Sequence, residues 1–314
     1  WDQLEHQSAR LDRYRETLET LKKAGRVYAC FETPEELDYK RKRQRSQGKP
    51  PIYDRSGLEL NTAKQREYEA EGRKPHWRFR LDHKDIYFDD LVRGSVHFHG
   101  SNLSDPVLVR GDGSYLYMLP SAVDDVDMEV TDVIRGEDHV ANTAVQIQLF
   151  EALGALPPTF AHTPLLTDIS GKGLSKRLGS MTVNSLREDG VESMALNSYL
   201  AHIGTSDSIV PCINLDALAV NFDISHTGRG TPKFDPEQLK TLNAALLHAM
   251  PFEDVHERFS GMGLQHANVD FWCAVRSNLE QFDDVTLWHK ICFDDIETVI
   301  ENVSFASAIA DLLP

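Results

Sequence analysis

Residues 133–139 read Val133-Ile134-Arg135-Gly136-Glu137-Asp138-His139, and residues 171–179 read Gly171-Lys172-Gly173-Leu174-Ser175-Lys176-Arg177-Leu178-Gly179. In the first stretch an apolar strand, Val130 to Ile134, runs into a cluster of charge just before a helical segment, 140–153, that stops at Gly154. The junction between a strand and the helix that follows it is where open α/β sheets bind ligands. His162 to Leu166 reads as a second short strand, so strand, helix and strand predict a parallel α/β unit. The second stretch follows that strand. Its glycines let a loop close over a ligand and open again, and Ser175-Lys176-Arg177 is suited to gripping nucleotide phosphates. Taken alone, Ser-Lys-Arg is ordinary surface; its place after a parallel strand points to chemistry.

Towards the N-terminus, residues 10–24 carry Leu11, Tyr14, Leu18 and Leu21 at helical spacing, with Lys22 and Lys23 in the last turn and Gly25 as a stop. Val27 to Phe31 is a short strand. Thr33-Pro34-Glu35-Glu36 then opens a helix with a capping box between Thr33 and Glu36. Residues 46–75 are polar, with a short helix at 61–71. Trp77 to Leu81, Ile86 to Phe88 and Val96 to His99 read as strands, and this stretch looks like an insertion domain. Val107 to Val109 is a strand followed by an Asp112-Gly113 turn, and Tyr115 to Val123 leads into a helix. Beyond the loop at 167–181 helices dominate. The clearest spans 235–250, where Asp235 caps, Pro236 starts, Gln238 completes a box and Leu239, Leu242 and Leu246 share one face.

A chain of 314 residues has room for two or three domains with real cores. It holds no run of about eighteen apolar residues, so no membrane partner is expected. Its four cysteines, Cys30, Cys212, Cys273 and Cys292, form no C-x-x-C pair. They read as reduced thiols of a cytoplasmic protein. The net charge of −16 argues against a surface that coats nucleic acid. One dense positive cluster stands out, Lys40-Arg41-Lys42-Arg43-Gln44-Arg45, equally consistent with a solvated helix face and with phosphate contacts.

Attack at a nucleotide phosphate needs positive charge where negative charge builds in the transition state, a role for Lys176 with Ser175 beside it. Arg135 is suited to a bidentate grip on a carboxylate; the alternative is a structural ion pair with Glu137 or Asp138. Tyr117 offers a phenolic hydrogen bond, while Tyr115, facing the other way, belongs to the core. His202-Ile203-Gly204-Thr205 imitates a nucleotide-binding signature. It lies downstream of the Lys176 loop and reads instead as a helix end stopped by Gly204.

Several runs resemble, in order and spacing, the bacterial glutamyl-tRNA synthetases, class I enzymes, and their alphaproteobacterial members in particular. They are Gln7 to Arg10, Phe31 to Leu37, Asp90 to Gly94, Ser114 to Ser121, Val123 to Asp125, Val133 to His139, Leu174 to Arg177 and Gly204 to Ser206. The resemblance implies the second half of a Rossmann-like α/β catalytic domain, residues 1–26 and 106–181. It implies an α+β acceptor-stem-binding insertion at 27–105, a helical stem-contact region at 182–250 and the start of a helical anticodon-binding domain at 251–314. It places Tyr117, Ser121 and Arg135 in a glutamate pocket and Asp138, the backbone at Leu166, Ser175, Lys176 and Arg177 around ATP. Lys40, Arg41, Arg43 and Arg45 would meet the tRNA. In the family's mobile loop a lysine stands where this chain has Gly173, with Lys172 one place earlier, and many relatives have Asn where Ser121 stands. The implied partners are L-glutamate, ATP with Mg²⁺, and tRNA(Glu), acting on a monomer. Some relatives bind zinc near Cys30 through closely spaced cysteines; Cys30 has no such neighbour, so no zinc is expected. The chain opens on Trp1, and both ends read as cut, with the family's nucleotide-binding signature expected before Trp1. The chain alone is therefore expected to be inactive. A glutaminyl-tRNA synthetase, a tRNA-modifying paralogue and a non-catalytic tRNA-binding module are the rival readings.

Overall fold

The computed structural model describes residues 3–174, 182–294, 304 and 307. Ser175, Lys176 and Arg177, the expected phosphate-gripping residues, lie outside the described residues. The chain forms two compact units. The first runs to Leu165 and includes Thr227–Gly230; the second takes Leu166–His226 and the residues from Thr231 onward.

In the first unit α1 (Leu11–Lys23) buries Tyr14, Leu18 and Leu21 as one stripe. After it come β1 (Val27–Cys30), α2 (Pro34–Ser46), α3 (Thr62–Ala70), β2 (His76–Phe79), β3 (Asp85–Asp90), β4 (Gly94–His99) and β5 (Val107–Val109). The unit is completed by α4 (Met118–Asp127), β6 (Asp132–Gly136), α5 (Val140–Leu153) and β7 (Thr159–Thr163). The β6–α5–β7 crossover is the parallel unit read from the sequence. α5 buries every residue from Thr143 to Phe150, which marks a helix covered on more than one side. It ends on Gly154, whose φ of 74° few other residues adopt.

Two sheets share this unit. One has the order β4-β3-β7-β6, with β3, β7 and β6 parallel and β4 returning antiparallel to β3; the other is antiparallel, in the order β1-β2-β5. The expected insertion, 27–105, thus does not end at a sheet boundary. The β3–β4 hairpin hydrogen-bonds to β7, and Leu91 N donates to Phe160 O at 2.9 Å. β5, expected with the catalytic strands, pairs with β2. Local alternation reveals that a segment is a strand, and the partner is fixed only by packing. A single core joins both sheets through Leu21, Phe79, Leu108, Leu119, Phe150 and Phe160. Each such side chain contributes about 1.5–3 kcal/mol on burial.

The second unit is helical: α6 (Val183–Glu188), α7 (Ser193–His202), α8 (Leu215–Asn221), α9 (Pro236–Ala249), α10 (His256–Gly261), α11 (Val269–Val275) and α12 (Val285–Phe293). α9 buries Leu239, Leu242 and Leu246 as expected. Its cap differs from expectation, because the Asp235 carboxylate accepts from Glu237 N and forms no box with Gln238. His202 is the buried last residue of α7, its Nδ1 2.7 Å from Ser198 O, which fits the helix-end reading. No described helix is long and apolar enough to cross a membrane.

Candidate active site in the first unit

Arg135 sits near the end of β6, directly opposite His162 of β7 in the parallel register. Its Nε donates to His162 Nε2 at 3.1 Å and its Nη1 to the Tyr117 hydroxyl at 2.9 Å. Nη2 donates to Thr143 Oγ1 at 2.6 Å and to Gln146 Oε1 at 2.7 Å. A guanidinium carries five N–H bonds, so one, on Nη1, is left over. Every partner is neutral. Glu137 pairs with Arg93 at 2.7 Å, and the Asp138 carboxylate comes no closer than 3.8 Å to His139, which sets aside the structural ion pair for Arg135. Among the described residues no carboxylate lies within ion-pair reach of Arg135. The bidentate grip expected from the sequence has only one free N–H to draw on in this arrangement, because Nε and Nη2 are fully engaged. A carboxylate arriving here meets the free Nη1–H together with the Tyr117 O–H, whose oxygen already accepts from Arg135. Tyr117 is 50% exposed and its ring meets His139 edge-on.

Ser121 stands one turn after Tyr117 on α4. Its Oγ accepts from Gln146 Nε2 at 3.4 Å, so Gln146 links Arg135 to Ser121. Asp138 follows Gly136, where an added Cβ would lie 2.7 Å from Asp138 Oδ1 and 2.9 Å from Leu165 Cδ2. Glycine is what lets the carboxylate turn back over the strand end. Leu166 belongs to the second unit, half-buried against the cluster that holds Tyr199 and Leu239.

Sequence reasoning missed Thr143, Gln146 and His162. The signal was present for two of them: Thr143 and Gln146 are polar, three residues apart and hence on one face of an otherwise apolar helix. For His162 no local signal exists, because only the β6–β7 register brings it to Arg135.

The basic cluster lies on α2, started by the expected box: Glu36 N donates to Thr33 Oγ1 and Thr33 N to Glu36 Oε2. The helix splits the cluster. Lys40 turns inward, its ammonium 3.2 Å from Glu32, 3.1 Å from Asp54 and 2.7 Å from Ser56 Oγ. Lys42 pairs with Asp38 at 2.8 Å. Arg41, Arg43 and Arg45 are exposed and have no carboxylate partner among the described residues. Lys40 is thus a structural ion-pair residue, and the sequence cluster reduces to three free arginines.

Cys30 has neighbours that its sequence surroundings did not announce. Cys30 Sγ, a Glu32 oxygen and a His76 ring nitrogen lie within 4.8 Å of one another. Glu32 Oε2 and His76 Nε2 have no hydrogen-bond partner among the described residues. Burial pushes the Cys30 thiol up to about 12 and pulls His76 down to about 4. Glu32 Oε1 already accepts from Ser56, Tyr53 and Lys40, and Cys30 Sγ lies 3.3 Å from the Tyr53 hydroxyl oxygen. Among the described residues the set offers three donors, partly engaged, where a closed structural zinc site takes four.

Comparisons with known proteins bear on the whole chain. The family model for the catalytic domain of class I tRNA synthetases (E and Q) matches residues 1–241. A glutamate–tRNA ligase of Azospirillum brasilense is 52% identical over all of this chain and 70% of its own length. Glutamate–tRNA ligase 2 of Methylorubrum populi is 50% identical over 98% of this chain and 69% of its own. Among solved structures, a glutamate tRNA ligase from Elizabethkingia meningosepticum in complex with its amino acid aligns with a TM-score of 0.77 and 25% identity. It covers 98% of this chain and 69% of that one. With that breadth of similarity the chain belongs to the class I glutamate–tRNA ligases.

Proposed function

We propose that the chain carries the glutamate pocket and part of the nucleotide site of an enzyme that charges tRNA(Glu). In the first step the α-carboxylate oxygen of L-glutamate attacks the α-phosphorus of ATP, the P–O bond to the β-phosphate breaks, and glutamyl-adenylate and pyrophosphate form. In the second the 2′-hydroxyl of the tRNA's terminal adenosine attacks the acyl carbon, AMP leaves, and the hydroxyl proton is released. Mg²⁺ travels with ATP and neutralises phosphate charge. Positioning and charge stabilisation carry both steps.

The observation that carries this reading is Arg135: a half-buried cation with no carboxylate of its own among the described residues and one N–H left beside the Tyr117 hydroxyl. A small substrate carboxylate completes it. Tyr117, Ser121 and Arg135 form the glutamate side, and Asp138, Leu166, Ser175, Lys176 and Arg177 the ATP side. Arg41, Arg43 and Arg45 face the tRNA backbone from the 27–105 segment. The regions 182–250 and 251–314 follow as stem-contact and anticodon-side helices. The reading is of a cytoplasmic monomer with no resident zinc.

Glutamate-dependent ATP–pyrophosphate exchange tests the reading, in the enzyme at the full length of its relatives. Lys176→Ala should lower turnover on the order of a hundred- to a thousandfold, the usual cost of a lost transition-state donor, and leave the KM for glutamate unchanged. Lys172→Ala is the companion variant. If it loses turnover while Lys176→Ala does not, the catalytic lysine has been misplaced.

A further inference from the structure

The chemistry of the strand-end arginine continues behind it, into the sheet. His162 is wholly buried, and its Nδ1 lies 2.5 Å from Asp90 Oδ2, a carboxylate that is also wholly buried. The other carboxylate oxygen, Oδ1, accepts from three backbone N–H groups, those of Val92, Arg93 and His162. Asp90 is thus the one anion in a line that runs Asp90, His162, Arg135 across three neighbouring strands, β3, β7 and β6. Arg135 Nε has only a hydrogen to offer, so His162 Nε2 must be bare and the ring's single proton must sit on Nδ1. The ring is neutral: burial lowers the pKa of His162 and Arg135 and His139 add to that, against the opposing pull of Asp90, with a net shift downward. Asp90 is held below the ordinary carboxylate range, its burial outweighed by His162 and the backbone donors.

We infer that Asp90 and His162 are positioning residues for substrate recognition, a tautomer lock that aims the free Nη1–H of Arg135 at the glutamate carboxylate. Without an acceptor at His162 Nε2 the guanidinium loses one of the bonds that fix its plane, and Nη1 no longer stands beside the Tyr117 hydroxyl. The Asp90 charge also reaches Arg135 through one imidazole, alongside the more direct charge interaction between Arg135 and Asp125. The inference rests on Arg135 holding the substrate carboxylate.

Asp90→Asn separates this from a packing role. Three backbone donors require the Asn side-chain oxygen at the Oδ1 position, which turns its NH₂ towards His162 Nδ1. The imidazole must then accept there and carry its proton on Nε2, facing the Arg135 Nε–H. A wrong tautomer of this kind, with shape preserved, disables other histidine dyads. Two further variants divide the ring's bond to Asp90 at Nδ1 from its contacts at Nε2, to Arg135 and to the Thr143 hydroxyl 3.0 Å away. His162→Asn keeps a donor for Asp90 and removes the acceptor for Arg135; His162→Gln keeps an acceptor at the Nε2 position and gives up the bond to Asp90.

The readout is glutamate-dependent pyrophosphate exchange by the enzyme at the full length of its relatives, with ¹⁵N NMR of the His162 ring. Asp90→Asn and His162→Asn should each raise the KM for glutamate on the order of tenfold or more, the worth of a hydrogen bond to a charged group, with the KM for ATP unchanged. His162→Gln should restore most of the loss, and the ring proton should move from Nδ1 to Nε2 in Asp90→Asn. Equal losses for glutamate and ATP, an unmoved tautomer in Asp90→Asn, or an unchanged KM for glutamate in both disruptive variants would overturn the lock. Arg135→Ala tells the two readings apart. If it leaves the KM for glutamate unchanged, the pocket itself is wrong; if it alone raises that KM, the pocket stands and the lock falls.

Discussion

Arg135 and the arginines of α2 are the same side chain put to opposite uses. At Arg135 four of five N–H bonds are fixed by Tyr117, Thr143, Gln146 and His162, so a single donor is presented in a single direction. On α2, Arg41, Arg43 and Arg45 stand in solvent without carboxylate partners among the described residues. The first arrangement recognises shape, because the ligand must meet one N–H and one O–H at a set spacing. The second, in the proposed role, would recognise charge, because long flexible stems can follow a phosphate backbone of any local form. Net charge alone conceals both, at −16 for the chain.

The sharpest test of that contrast is to make the same conservative change in both places. Arg135→Lys replaces a planar fork by an ammonium with three donors and leaves at least one of the four neutral partners unmet. Glutamate recognition should fall sharply, with kcat/KM for glutamate down about a hundredfold, the equivalent of roughly 3 kcal/mol at a charged hydrogen-bonded site and the larger effect of the pair. Arg43→Lys keeps the charge and should leave tRNA affinity where it was. If both substitutions act alike in their own assays, the distinction between shape and charge is wrong.

A smaller effect is expected from removing charge on α2. Neutralising Arg41 and Arg43 together should weaken tRNA binding and flatten its salt dependence by roughly 0.7–0.9 units of log–log slope for each phosphate that is no longer neutralised. An unchanged slope would return these residues to plain solvated surface and leave the acceptor-stem role of this helix without support.

The contrast also shows what a sequence gives up readily. The parallel β6–α5–β7 unit, the stripe of α1, the capping box at Thr33 and the face of α9 were all legible, since each follows from spacing or capping within a few residues. The motif singled out Arg135, Tyr117 and Ser121, and the fold gathers them with Gln146 into one hydrogen-bonded group. The binding mode of Arg135 was not legible. Four bonds decide it, and the one to His162 depends on strand register across 27 residues. The same limit explains the β3–β4 hairpin, whose alternation predicts strands and cannot say that they join β7. The ion pairs of Lys40 were hidden for a related reason: a cluster of positive charge in sequence says nothing about which member turns inward to meet Glu32 and Asp54.

Lys40 therefore supplies the mildest test, and one in which the α2 cluster is set against itself. Its side chain is 34% exposed and bridges Glu32, Asp54 and Ser56. Lys40→Met should leave the salt slope of tRNA binding unchanged, unlike the Arg41 and Arg43 pair, because its charge is already answered within the protein. It should instead reduce the stability of the first unit by about 1 kcal/mol, the range for a partly exposed ion pair. Ser56 and Tyr53 still donate to Glu32 in the variant, which keeps the loss small. The pH dependence carries the sign. Glu32 and Asp54 both hold their folded pKa below the ordinary carboxylate range; burial opposes this, and the hydrogen bonds from Ser56, Tyr53 and Lys40 outweigh it. Groups of this kind contribute stability above their unfolded pKa, and the contribution is lost as pH falls through the folded pKa. The deficit of Lys40→Met should accordingly be full at neutral pH and shrink in acid, where both carboxylates take up protons and Lys40 has nothing left to pair with. Urea unfolding of the two proteins at neutral and acidic pH measures it. A deficit that stays constant across that range would assign Lys40 to packing through its aliphatic stem, and a change in the tRNA salt slope would return it to the free arginines.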